Sequence, residues 1–171
     1  MRARALVLPI LALLTLAPSP AFCQPKPGEP APDVELVLSN GTAVRPGELG
    51  RTVLIVFFSA YCPHCRAELE RLSEELGDCP ASPVVIGVGV SGDPEMDEAV
   101  FSQFNPGGWL FSPGTIEVAE AYELFAVPTM VVVAPNGTVT FTRIGESRPG
   151  QVCSALVEAS EGCLLYTSPS P

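Results

Sequence analysis

The sequence holds a single histidine, His64, and no second pair of cysteines spaced like Cys62 and Cys65. A closed zinc site needs four ligands, usually as two such pairs, so neither a structural metal nor any other cofactor is expected. Basic side chains are scarce as well: nine Lys and Arg stand against nineteen Asp and Glu, for a net charge of −10. Such a chain has no electrostatic claim on nucleic acid. An apolar run long enough to span a bilayer is also missing. The stretch Ala5 to Leu16 is too short for that. It follows Arg2 and Arg4 and leads into Ala17-Pro18-Ser19-Pro20-Ala21, which is the pattern of a secretory signal cleaved after Ala21.

Removing residues 1–21 takes away two of the nine basic residues and no acid, leaving seven against nineteen and a net charge of −12. Cys23 raises lipid anchoring, but Pro20-Ala21-Phe22 is a poor signal for it, so attachment through Cys23 or an uncleaved leader is the secondary expectation. Residues 22–32 read as a Pro-rich linker, with Pro25 to Pro32 as a stiff tether. Residues 33–160 then form one domain of about 130 residues, large enough for its own core. The last nine residues, 163–171, resemble the translation of a sequencing adapter, so Cys163 is set aside.

What the chain does have is Cys62-Pro63-His64-Cys65. Upstream, Thr52 to Phe58 is an almost wholly apolar, β-branched and aromatic run, which predicts a buried central strand. Downstream, Cys65, Leu69, Leu72 and Leu76 recur at spacings of four, three and four, while Glu68, Glu70, Arg71, Glu74 and Glu75 fill most other positions. That is an amphipathic helix, stopped near Gly77. Cys62 falls at its N-cap and Pro63 at its first position, where a missing N–H costs nothing. Backbone N–H groups and the positive end of the helix favour an anion there, and the thiolate is the form that attacks disulfides. Cys62 is therefore the candidate nucleophile. Pro63 and His64 are expected to tune its ionisation, His64 by adding a donor or a positive charge. Cys65, one turn on and facing inward, is the candidate resolving thiol.

The remaining pattern predicts a strand at Val84 to Val90, a helix from Glu117 to Phe125 and a strand after Ala126-Val127-Pro128-Thr129. Pro135-Asn136-Gly137-Thr138 predicts a hairpin into Val139 to Ile144, and a last helix follows from near Pro149 with Val152, Ala155, Leu156 and Ala159 inward. Cys79 is expected beyond the CxxC helix and Cys153 near the start of the last one, at opposite ends of the sheet. Since bridged Cα atoms lie within about 7 Å, the two are expected to stay unpaired.

From Gly28 to about Ala159 the chain resembles the extracytoplasmic thiol-disulfide oxidoreductases of the TlpA and ResA type, in the redoxin branch of thioredoxin-like proteins. The residues carrying the likeness are Gly28 to Val34 with Leu36, Asn40-Gly41, Leu54 to Cys65, Val88 to Asp93, Val127-Pro128-Thr129 and Asn136-Gly137. The resemblance implies an α/β thioredoxin-like fold: a mixed central sheet, helices on both faces and an N-terminal β extension. It implies a redox-active disulfide between Cys62 and Cys65 and a cis bond before Pro128. It also implies a substrate-binding surface at Tyr61, Val127, Pro128 and Thr129 that receives a partner as an added strand. The implied partners are exported cysteine-containing proteins and a membrane or periplasmic electron-transfer protein, and the implied location is periplasmic or otherwise extracytoplasmic.

Departures from that pattern matter. Val56 stands where the usual thioredoxin has a buried acid, six residues before its first cysteine. Asp93 or Glu95 could supply one, although Gly92-Asp93-Pro94 reads more simply as a turn. Tyr61 replaces the common Trp, either flanking the sulfur or covering the core. The Pro-His dipeptide resembles that of the oxidant DsbA, so the direction of electron flow is open. Rival readings are a peroxiredoxin-like peroxidase, which lacks its proline because Ile55 is there, a Sco-type copper chaperone, which lacks its cysteine spacing, and a redox-inert binding module.

Overall fold

All six residues of the strand Val53–Phe58 are fully buried, so both of its faces are covered by protein. A computed structural model describes residues 25–162. The signal-like leader, Cys23 and the adapter-like tail with Cys163 lie outside the described residues. In chain order the elements are β1 (Leu36–Val37), β2 (Ala43–Val44), β3 (Val53–Phe58), α1 (Pro63–Gly77), β4 (Val84–Gly89), α2 (Pro94–Phe104), β5 (Leu110–Pro113), α3 (Ile116–Ala121), β6 (Thr129–Val133), β7 (Val139–Ile144) and α4 (Gln151–Glu161). β1 and β2 form a small antiparallel hairpin at the amino end. The main sheet has the order β5-β4-β3-β6-β7, parallel from β5 to β3 and antiparallel beyond it.

Alternation along β3 divides the core in two. Leu54, Val56 and Phe58 pack with Cys65, Leu69 and Leu72 of α1, Phe101 of α2 and Leu156 of α4. Val53, Ile55 and Phe57 face the other way, toward Leu36, Val118 of α3 and Tyr122. Helices thus cover both faces of a mixed sheet, and the thioredoxin-like architecture is as the resemblance implied. Each fully buried Leu or Phe stabilises this arrangement by about 1.5–3 kcal/mol.

Two glycines set the seat of α2, a helix not among the elements predicted above. A side chain at Gly87 would collide with the Phe101 ring, and one at Gly89 with Asp97. Bare backbone on β4 therefore lets α2 lie close and carries Asp97 in toward the end of β3.

Four expectations need correction. The helix expected over Glu117 to Phe125 ends at Ala121, because Glu123 turns into the left-handed region at φ 47. Glu123 N–H donates to Glu120 O at 3.0 Å and Leu124 N–H to Ala119 O at 2.8 Å, a Schellman closure that swings Phe125 out to 73% exposure. Second, Pro25 to Pro32 is no free tether. Gly28 N–H bonds Val139 O, Val139 N–H bonds Glu29 O and Ala31 N–H bonds Gly137 O, so the segment lies along β7 and its hairpin.

Third, Cys79 and Cys153 form a disulfide with Cα atoms 5.7 Å apart. The expectation failed because the chain after β7 runs down α1 before α4 begins. Glu146 meets His64, Ser147 N–H donates to Glu68 at 3.1 Å, and Cys153 N–H donates to Glu75 at 2.8 Å. Those steps along α1 deliver Cys153 to its far end. Glu68, placed by its neighbours' pattern on the outer face, is instead buried, held by Arg71 and Ser147.

Candidate functional site

β3 delivers the chain to Ser59 and Ala60, and Cys62 N–H donates back to Ser59 O at 3.1 Å. This turn sets Cys62 at the N-cap of α1, with Pro63 at the first helical position. Cys65 N–H donates to Cys62 Sγ at 3.2 Å. An amide dipole and a helix start aimed at one sulfur stabilise negative charge on it.

Both cysteines are free thiols, but they differ in access: Cys62 is half-buried and Cys65 fully buried. Burial pushes the Cys65 thiol up to about 12, with the Cys62 sulfur as a hydrogen-bond partner adding to the rise and Asp97 contributing less. One sulfur is thus reachable, and the other stays protonated until something comes to take its proton.

Asp97 is the acid that the sequence pattern hid. It is fully buried on α2 and accepts from Ala60 N–H at 2.7 Å, Ser91 N–H at 2.9 Å and the Ser91 hydroxyl at 2.8 Å. Neither Asp93 nor Glu95 takes that place. Asp93 caps α2 through Met96 N–H and accepts from the Tyr61 hydroxyl at 2.9 Å, while Glu95 is exposed. The signal was available in Val100, Phe101 and Phe104, whose spacing marks a helix that turns Asp97 inward with them.

Tyr61 is 64% exposed and neither covers the core nor contacts a sulfur through its hydroxyl. The bond to Asp93 raises its phenol above the usual range, with smaller contributions from burial and nearby charge. His64 also points outward, and its Nδ1 lies 2.5 Å from Glu146 Oε1. It does not donate to Cys62.

The Val127–Pro128 peptide is cis, and Val127 O accepts from Cys62 Sγ at 3.9 Å. Pro128 O is taken by Gly145 N–H at 2.8 Å. Thr129 is buried in the sheet between Phe57 and Ile144, and its hydroxyl closes the loop on Ala126 O at 2.8 Å. The carbonyl of Val127, rather than the main chain of Thr129, is thus the loop group nearest the outer sulfur. Three segments meet here: the start of α1, the Pro128 loop and the Gly145-Glu146 turn. No group of three or more His, Cys, Asp or Glu among the described residues is arranged to hold a metal ion.

A cysteine pair at the start of the helix after the central strand, faced by a proline loop, is the thioredoxin-like arrangement. Within that class the chain belongs to the Redoxin family, whose model matches residues 26–157. Among solved structures, a thio-disulfide isomerase from Thermus thermophilus is similar at 25% identity and a TM-score of 0.63, over 79% of this chain and 97% of that one. A thiol:disulfide interchange protein from Chlorobium tepidum TLS superposes at a TM-score of 0.64 with 19% identity, over 80% and 99%. A secreted Mycobacterium tuberculosis disulfide oxidoreductase does so at 0.59 with 15% identity, over 73% and 95%. No curated protein matches the sequence.

Proposed function

We propose that this protein is an extracytoplasmic thiol-disulfide oxidoreductase that works through Cys62 and Cys65. The observation that carries the proposal is the unequal placement of two free thiols, one half-buried at a helix N-cap and one fully buried a turn behind it. The Cys62 thiolate attacks one sulfur of a partner disulfide, forming a mixed disulfide while the partner's other sulfur leaves with the bonding electrons and takes up a proton. Cys65 then loses its proton and attacks Cys62 Sγ, and the second partner sulfur departs as a thiol. Two electrons and two protons pass to the partner, and the Cys62–Cys65 disulfide remains. Run backward, the same steps oxidise a partner dithiol.

Cysteine-containing exported proteins are the proposed substrates, with Val127, Pro128 and Tyr61 at the docking edge. An electron-transfer protein at the membrane or in the periplasm would restore the starting state. The location is supported by the Cys79–Cys153 disulfide, since structural bridges persist chiefly in oxidising compartments, by the signal-like pattern of residues 1–21, and by a structural relative described as secreted. Reduction is the favoured direction, because the Glu146 carboxylate, 2.5 Å from His64, offsets any positive charge that ring would offer the sulfur.

The test is reduction of insulin by dithiothreitol, with and without the protein. Wild type accelerates the reaction, and Cys62→Ser abolishes the acceleration. Equal rates with wild type and Cys62→Ser would remove the proposal.

A further inference from the structure

Beside the cysteine site, the end of α3 leaves an apolar hollow of about 620 Å³ lined by Ile116, Ala119, Leu124 and Phe125 together with Glu120 and Glu123. A second hollow shares Ala119, Leu124 and Phe125 and reaches Val127, whose carbonyl faces Cys62. The two share three lining residues and form one track from Val127 to α3. Its apolar walls are open: Ile116 is 74% and Phe125 73% exposed. Large apolar side chains presented together beside a reactive group mark a docking surface.

The track has one further property. Glu123 Oε2 is buried and has no hydrogen-bond partner among the described residues. The Glu123 side chain as a whole is half-buried at the lining of the hollow, so a donor brought along the track can reach its carboxylate and supply the missing partner. Glu120 adds a second acid, and no basic residue lines either hollow. The backbone carries strain at the same point, for Glu123 is the one non-glycine among the described residues held at positive φ.

Resting on the redox reading above, we infer that this track selects the partner. It takes an extended cysteine-containing segment that sets an apolar side chain against Phe125 and Leu124 and a lysine or arginine against Glu123. Continuity with Val127 fixes the occupant as the same chain whose sulfur meets Cys62, and the unpaired carboxylate fixes its charge. An acidic segment meets two like charges there and is rejected. The acidity of the whole protein, −10, steers the same choice from a distance.

The experiment uses two short single-cysteine peptides as mixed disulfides with glutathione, one with Leu and Arg on both sides of the cysteine, the other with Leu and Glu. Oxidised glutathione alone is run in parallel. With dithiothreitol as the reductant that restores the Cys62/Cys65 dithiol, wild type is expected to turn over the Arg peptide about fivefold to tenfold faster in kcat/KM. Glu123→Gln is expected to bring that ratio toward one, and Glu123→Lys to invert it, a gain that misfolding cannot mimic. Phe125→Ala is expected to raise KM for both peptides. Wild type that exchanges with glutathione but treats the peptides alike, or Glu123→Lys that keeps the original order, overturns the inference alone. Wild type that exchanges with no probe overturns the redox reading and this inference with it.

Discussion

Glu146 Oε1 lies 2.5 Å from His64 Nδ1, tying one of the two residues between the cysteines to the turn after β7. The peptide group that follows Glu146 is held at both its carbonyl and its N–H. Arg143 donates to its carbonyl at 3.0 and 3.1 Å, and the next N–H, of Ser147, donates to buried Glu68 at 3.1 Å. The acidic side chain of Glu146 is thereby placed against His64, two residues from the sulfur that must become an anion.

The first prediction follows from that charge. Whatever stabilises the Cys62 thiolate stabilises the reduced form and raises the potential. Glu146→Gln removes an opposing charge, so the equilibrium with glutathione shifts toward the dithiol by threefold to tenfold, the latter about 30 mV. In a His64→Ala background the carboxylate loses its anchor and the shift shrinks. Thiol quantification across glutathione buffers measures both, and an unchanged or lowered potential in Glu146→Gln contradicts the role given to the pair.

The second concerns Cys65. Its thiol is raised from 9.0 to about 12, chiefly by burial, so the fold favours its neutral form. That contribution to stability is fully present below pH 9 and is lost as pH climbs through 9 toward 12. In the reduced protein, iodoacetamide at pH 8 is expected to modify Cys62 and leave Cys65 untouched, as read by peptide mass mapping. Equal labelling of both at pH 8 contradicts it.

The third concerns Asp97. Three donors converge on its carboxylate, and each hydrogen bond to a charged group contributes about 1.5–3 kcal/mol. Asp97→Ala leaves Ala60 N–H and Ser91 N–H without their acceptor at the turn that positions Cys62. Urea unfolding is expected to show a loss of about 2–4 kcal/mol, and the second step, attack by Cys65, to slow in stopped-flow exchange. Asp97→Asn, which keeps the shape, is expected to lose less stability.

The fourth concerns the Cys79–Cys153 bridge, which closes a loop across a sequence separation of 74. Cross-links of that length restrict the unfolded chain strongly, and replacing both cysteines by Ala is expected to cost about 2–4 kcal/mol in urea unfolding. Insulin reduction at 25 °C should persist, since neither residue lines the cysteine site. Activity that disappears while the fold survives would tie the bridge to the chemistry instead.

Local pattern carried much of this. The apolar run ending at Phe58, the switch to helical spacing at Cys65, and Asn136-Gly137 between two β-rich segments each announce an element through short-range rules, and the sheet and α1 follow from them. What was not legible depends on residues far apart in the chain. Glu68 looks like a solvent-facing acid until Ser147, 79 residues on, comes down to meet it. Cys79 and Cys153 look separated until the path of the turn after β7 is known. Asp97 sits behind a Gly-Asp-Pro signal that is read first as a turn, and its burial depends on Gly89 leaving room on a neighbouring strand. Glu123 ends α3 in a conformation that glycine usually takes, so no composition rule marks the break at which Phe125 turns outward.

Trapping the intermediate tests the central claim most directly. Cys65→Ser protein mixed with a disulfide-bearing peptide should accumulate a mixed disulfide that peptide mapping places at Cys62, stable until a thiol is added; wild type should pass through the same species only transiently. A mixed disulfide that still forms in Cys62→Ser at the wild-type rate, or one mapped to Cys65 in wild type, would contradict the account.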